Sequence, residues 1–183
     1  FVGPSGWRLN EWLAQAGVRR QDCYITNVVP YQPPNNDMGK VPRGELDEWV
    51  SRLHEKIGTL SDPFVLVPTG NVALRALTQA KLTITQARGF IQTYTDVNSR
   101  TIKVIPVIHP ATTFHTPYWQ RRCQLDWKRI AGEAQHKRLN LWQAEHMTRP
   151  TIGDLYAYVD DVVKHRDIAL SVDIETWGRR VSC

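Results

Sequence analysis

Apolar positions along this chain switch between two periods. Leu9, Trp12, Leu13 and Ala16 recur three and four residues apart and predict a helix that Gly17 ends. Tyr24 to Val29 predicts a strand, which runs into a loop rich in proline and asparagine. Leu46, Trp49, Val50, Leu53 and Ile57 then form one stripe of a helix that Pro42 can start. "PFVLVP" predicts a short buried strand, and "GNVALRALT" a helix opened by Gly70 or Asn71. A third strand, "TIKVIPVI" at residues 101 to 108, leads into "HPATTFHTP", and helical spacing resumes from about Tyr118. Strands alternating with helices imply parallel crossovers, so the expectation for residues 1–133 is an α/β domain, a parallel sheet flanked by helices.

The pattern then changes. Residues 134–150 are charged and rich in glutamine and predict a linker. After Pro150 the periodicity restarts: Thr151 can cap a helix carrying Ile152, Leu155, Val159, Val162 and Val163, and "DIALSVDIETWG" predicts a new buried strand within residues 151–183.

Two polar residues stand out against this background. Asn27 sits inside an apolar strand-like run, where its amide needs hydrogen-bond partners or costs a few kcal/mol. It is either a satisfied structural amide or a group that reads a ligand. His109 follows the third strand directly. Ligands of open α/β sheets bind at the carboxyl ends of strands, so both residues fall on the expected functional rim.

Composition narrows the classes. With 42% hydrophobic and 22% charged residues the chain reads as soluble and globular, and no apolar run reaches membrane-spanning length. A net charge of +5 suits a polyanionic partner, although basic pairs such as Arg121-Arg122 and Lys128-Arg129 also occur on solvated helix faces. Cys23, Cys123 and Cys183 lie far apart, which argues for a reducing intracellular compartment and against a zinc or disulfide framework. Beginning at Phe1 and stopping soon after a strand-like run, the sequence reads as a fragment cut at both ends.

"FVGPSGWRLNEWLAQAG", "YITNVVPYQPPNND", "GNVALRAL" and "VIPVIHPATTF", in that order and spacing, resemble the uracil-DNA glycosylase superfamily, closest to its iron-sulfur-containing branch. The resemblance implies a glycosylase-like module that flips and excises uracil from single-stranded or duplex DNA. It makes Phe1 the aromatic that stacks on the flipped base and Asn27 the reader of the uracil edge, its carbonyl accepting from N3–H and its NH2 donating to O4. Cytosine presents the opposite pattern there. It makes His109 the donor that stabilises the departing base, and Phe114, in the loop that presses into the duplex, the wedge. It also marks departures. Tyr31 stands where a cluster cysteine is expected and the helix from Pro42 to Ile57 contains none, so no iron-sulfur cluster is expected. The glycine-rich acidic motif that positions the attacking water would lie ahead of Phe1.

"LSVDIETWG" resembles the first motif of the DEDD-type 3′-to-5′ exonucleases attached to DNA polymerases. The resemblance implies the first helix and strand of a ribonuclease H-like domain at residues 151–183. Two apart on a strand, Asp173 and Glu175 would face one side and share divalent Mg or Mn in the complete domain. The joint expectation is an intracellular protein, nucleoid-associated or virus-encoded, with the glycosylase-like module fused to a proofreading DNA polymerase. The alternative is a non-catalytic, uracil-sensing DNA-binding module of such a polymerase.

Overall fold

The computed structural model describes residues 3–78, 81–139 and 149–164. Phe1, Asp173 and Glu175, and with the last two the predicted C-terminal strand, lie outside the described residues. The chain divides into two compact units, Phe1–Leu141 and Trp142–Cys183.

In the first unit, α1 (Gly3–Gln15) buries Leu9, Trp12 and Leu13 as its spacing requires. Gly17, at φ 75°, turns the chain out of it, a backbone state open to glycine at little cost. Next come α2 (Arg43–Thr59), β1 (Val65–Leu66) and α3 (Asn71–Leu77), each where the apolar pattern anticipated it. A short helix α4 (Ile84–Ala87), held by a Thr83–Gln86 capping box, leads to β2 (Gln92–Thr95) and β3 (Thr101–Val104). A single-turn α5 (Thr112–His115) and the longer α6 (Tyr118–Glu133) complete the unit.

The sheet differs from the expected parallel one in two ways. Its order is β1-β3-β2, with β1 parallel to β3 but β2 antiparallel to it, so the sheet is mixed. The antiparallel strand arises from a hairpin closed around Asp96, whose carboxylate accepts from the backbone N–H of Asn98 (3.0 Å) and of Arg100 (2.8 Å), and from the Arg100 guanidinium (2.7 Å). Such an Asp-centred turn is a local device rather than a hydrophobic period, which is why apolar spacing passed over it. Second, Tyr24–Val29 is not a strand. Val29 is buried and Ile25 packs on the core, so the alternation is real. The available edge is short, however: β1 is two residues long between Pro63 and Pro68, and a proline donates nothing to a ladder.

The main core gathers Leu9, Trp12 and Leu13 of α1, Leu74 of α3, Ile105, Val107 and Ile108 beyond β3, and Cys123, Trp127 and Ile130 of α6. Burying each large apolar side chain stabilises the unit by about 1.5 to 3 kcal/mol. Two ion pairs pin α6 to this body. Asp126 accepts two bonds from Arg88 (2.8 and 2.9 Å), and buried Lys103 of β3 reaches Glu133 (2.9 Å) and the carbonyls of Glu133 and His136 at the helix C-terminus. A cation there complements the helix dipole. His54 packs inward: its Nε2 lies 2.6 Å from the Ala76 carbonyl and its ring packs edge-on against Tyr94.

In the second unit, α7 (Ile152–Lys164) starts where Thr151 predicted, with Thr151 Oγ1 accepting from the Asp154 N–H (3.2 Å) while the Asp154 carboxylate accepts from the Thr151 N–H (2.8 Å). Its apolar residues Ile152, Leu155, Val159 and Val163 are exposed.

Candidate functional site

His109 is placed by the sheet. Beyond β3 the chain continues as a buried run in which the Ile105 and Val107 N–H groups donate to the Leu66 and Pro68 carbonyls (2.9 and 3.0 Å). Thr69 bridges to Val107 in parallel, and the Gly70 N–H donates to the Val107 carbonyl (3.0 Å). The last residue of β1's extension and the residue after β3's extension thus lie side by side. A Cβ added at Gly70 would come within 3.4 Å of the His109 Cβ, and Gly70 adopts φ 91°, ψ 174°, a conformation that L side chains rarely take.

The imidazole is half-buried, and burial holds its pKa below the ordinary histidine value. Nδ1 accepts the Ala111 backbone N–H at 3.1 Å. An acceptor nitrogen carries no proton, so the neutral ring bears its proton on Nε2. The Thr112 N–H donates to the His109 carbonyl, and Thr113 Oγ1 donates to the Pro110 carbonyl, which closes the turn under the ring. The result is a neutral hydrogen-bond donor in a fixed orientation.

Asn27 lines the same open groove as His109. Residues 23–33 supply one stretch of its wall and residues 65–73 with His109 and Ala111 another, beside parts of α1, α2 and α6. Asn27 is exposed, and among the described residues no hydrogen bond ties down its side-chain amide. Two of the residues singled out from sequence thus line one groove.

Phe114 is not among the residues lining the groove. It stands on α5, 44% exposed, with the Arg8 guanidinium 5.3 Å from its ring centroid, and Arg8 is itself held by Glu11 at 2.9 Å. Gly70, expected from the sequence only to open a helix, also lies beside His109, and a glycine between a strand and a helix is a signal for such close backbone approach.

Neither of the two described thiols, Cys23 and Cys123, is set up as a thiolate. Cys123 is buried in the core, where burial pushes its thiol up to about 11, the reverse of what a thiolate ligand requires. The Cys23 thiol, also raised by burial, donates to the Arg19 carbonyl. Tyr31 donates its hydroxyl to Glu45 at 2.7 Å, and α2 supplies no cysteine. Among the described residues no group of three or more His, Cys, Asp or Glu side chains converges to hold a metal. None of their helices is long and apolar enough to cross a membrane.

Asn27 and His109 line one groove of an α/β unit, and the comparisons define the class. Residues 1–130 match the Uracil DNA glycosylase superfamily, and the chain belongs to that family. It is 32% identical over 135 residues to the type-4 uracil-DNA glycosylase of Archaeoglobus fulgidus, covering 71% of this chain and 65% of that protein. It is 36% identical over 114 residues to the type-4 uracil-DNA glycosylase of Thermotoga maritima, covering 61% of this chain and 55% of the relative. Over 122 residues it is 34% identical to the DNA polymerase of Bacillus phage SP01, covering 66% of this chain but 12% of the polymerase. The chain thus spans at most about two thirds of the length of these relatives.

Proposed function

We propose that this chain supplies the base-reading and leaving-group side of a site that excises uracil from DNA. The observation that carries the reading is the Ala111 N–H donating to His109 Nδ1, on a groove shared with Asn27. Breaking the bond between C1′ and N1 leaves cationic character on the sugar and sends the electron pair into the uracil ring. A neutral Nε2–H aimed at O2 acts where that negative charge develops and needs no prior proton uptake. Asn27 accepts from N3–H and donates to O4, and Phe1 stacks on the flipped base, which is extruded most readily from single-stranded or mismatched DNA. Phe114, braced by Arg8, fills the space the base leaves.

The test separates excision from sensing. Single-turnover uracil release and equilibrium binding are measured on one uracil-containing oligonucleotide, in the full protein and in its His109→Ala variant. Release that collapses while binding persists supports excision. Binding of uracil DNA in preference to thymine DNA, with no release by the full protein, establishes the sensing module instead.

We further propose that the site works without an iron-sulfur cluster, on the strength of the Tyr31–Glu45 bond and the buried Cys123. Stoichiometric iron with a visible absorption band in the purified protein would overturn this. The likeness to a phage DNA polymerase supports association with a polymerase, and the "LSVDIETWG" motif is what makes Asp173 and Glu175 the candidates to hold the divalent ions of a proofreading exonuclease. Asp173→Ala with Glu175→Ala should then abolish 3′ nucleotide removal by the full protein while sparing uracil release. An unchanged exonuclease would refute that assignment.

A further inference from the structure

The surface of α6 that faces solvent carries one sign of charge. Buried Cys123, Asp126, Trp127 and Ile130 occupy one side of the helix. Tyr118, Arg121, Arg122, Leu125, Lys128 and Arg129 recur three and four residues apart on the other, all exposed except partly buried Arg122. The helix contains two carboxylates, and both are withdrawn from this face, Asp126 to Arg88 and Glu133 to Lys103. Helix α2 shows what an ordinary solvated face looks like: its Arg43, Arg52 and Lys56 are interspersed with Glu45, Asp47, Glu48 and Glu55.

Aromatic surface is set into the cationic stripe at its N-terminal end. The Arg122 guanidinium lies 3.7 Å from the centroid of the Tyr118 ring, and Trp119 meets the ring edge-on at 5.0 Å, yet Tyr118 stays 59% exposed. With one face covered by Arg122, that exposure belongs chiefly to the remaining face and edge. A tyrosine held by a cation on one side is a rigid platform for a base on the other. The stripe begins three residues after α5, and α5 begins three residues after His109.

We propose that this face of α6 is a track for single-stranded DNA, on which Tyr118 stacks a base next to the flipped nucleotide while Arg121, Lys128 and Arg129 follow the phosphates. The inference rests on the uracil-excision reading for the position of the flipped nucleotide, but it adds a binding surface outside the groove. From Tyr118 to Arg129 the helix rises about 16 Å, room for several phosphates. Arg129 already donates to the Gly89 carbonyl, which fixes its stem along the helix flank.

The experiment uses fluorescence anisotropy with a labelled, uracil-free single-stranded oligonucleotide across a series of salt concentrations. Arg121→Gln with Lys128→Gln should flatten the slope of log K against log salt by about 1.4, or roughly 0.7 for each phosphate that is no longer neutralised. Tyr118→Ala should weaken binding roughly tenfold with the slope unchanged, since stacking releases no counterions. Arg43→Gln with Arg52→Gln, which removes the same charge from α2, should leave the slope within error of the parent. Equal flattening by the α2 and α6 pairs would reduce the effect to net charge and overturn the track, as would an α6 pair with the parental slope. The excision reading is judged separately, by uracil release from the full protein. A flattened slope without any release would refute that reading alone, and release with an unflattened slope would refute the track alone.

Discussion

The two stretches of groove wall that carry His109 and Asn27 are built to different standards of order. On the His109 wall, parallel backbone bonds run from β3's extension to β1's, Nδ1 accepts the Ala111 N–H, and Gly70 packs against the histidine Cβ. On the Asn27 wall, residues 23–29 form no ladder, and the asparagine amide is exposed and untethered among the described residues. Donors that act on developing charge gain most from being fixed in advance, because reorganisation at the moment of reaction is avoided. A reader of the base edge can be fixed by the base itself, at the cost of ordering its segment on binding. On the proposed excision reading, the contrast gives rate to the first and selectivity to the second.

The sharpest way to break this contrast is to remove the imidazole. His109→Ala should slow single-turnover release by about 10² to 10³-fold, with the oligonucleotide dissociation constant changed far less. A parallel loss in both would mean that the ring binds rather than catalyses.

Gly70→Ala should act next most strongly, through the backbone. Forcing a side chain into φ 91° costs about 1 to 3 kcal/mol, read as a fall in the denaturation midpoint, and release should slow because relief of that strain shifts the strand junction that carries His109. Normal stability in this variant would show that the strand junction adapts and does not hold the histidine.

The pH dependence follows from the direction of the His109 shift. Burial lowers the folded-state pKa below the unfolded value near 6.5, so between the two values the unfolded chain binds a proton that the folded chain does not. Stability contributed by the neutral ring is therefore complete above about 6.5, declines as pH falls below it, and is fully lost below the folded pKa. His109→Gln should flatten that decline in urea melts taken across the acid range. An identical decline in the variant would assign it to other groups.

The smallest expected change is on the second wall. Asn27→Ala should shift stability by no more than about 0.5 kcal/mol, because the side chain is exposed. Asn27→Asp should relax the rejection of cytosine, since a protonated carboxyl offers the donor that N3 of cytosine accepts. A large loss of stability in Asn27→Ala would restore the reading of Asn27 as a structural amide.

Much of the first unit was legible because its helices bury one face. The stripes at Leu9, Trp12 and Leu13 and at Leu46 to Ile57 named α1 and α2 within a few residues, and the Thr151 cap located α7. The misses share a cause. The antiparallel β2 depends on an Asp96 turn, and the loss of the strand at Tyr24–Val29 depends on a two-residue neighbour hemmed by prolines. Neither is written in a hydrophobic period, since one is side-chain-to-backbone bonding and the other is the length of a distant segment's edge.

For the site, residue types and motif order make Asn27 and His109 candidates, because a polar group inside or just after an apolar strand has to be explained wherever it occurs. Which nitrogen of His109 holds the proton, that Gly70 lies against it, and that both carboxylates of α6 turn inward were decided only by tertiary contacts. Those properties depend on atoms brought together from distant parts of the chain: β1 with β3, and α6 with Arg88 and Lys103. Local spacing determines which face a residue occupies, but the partner that sets its protonation state, orientation or free charge exists only once the chain has folded.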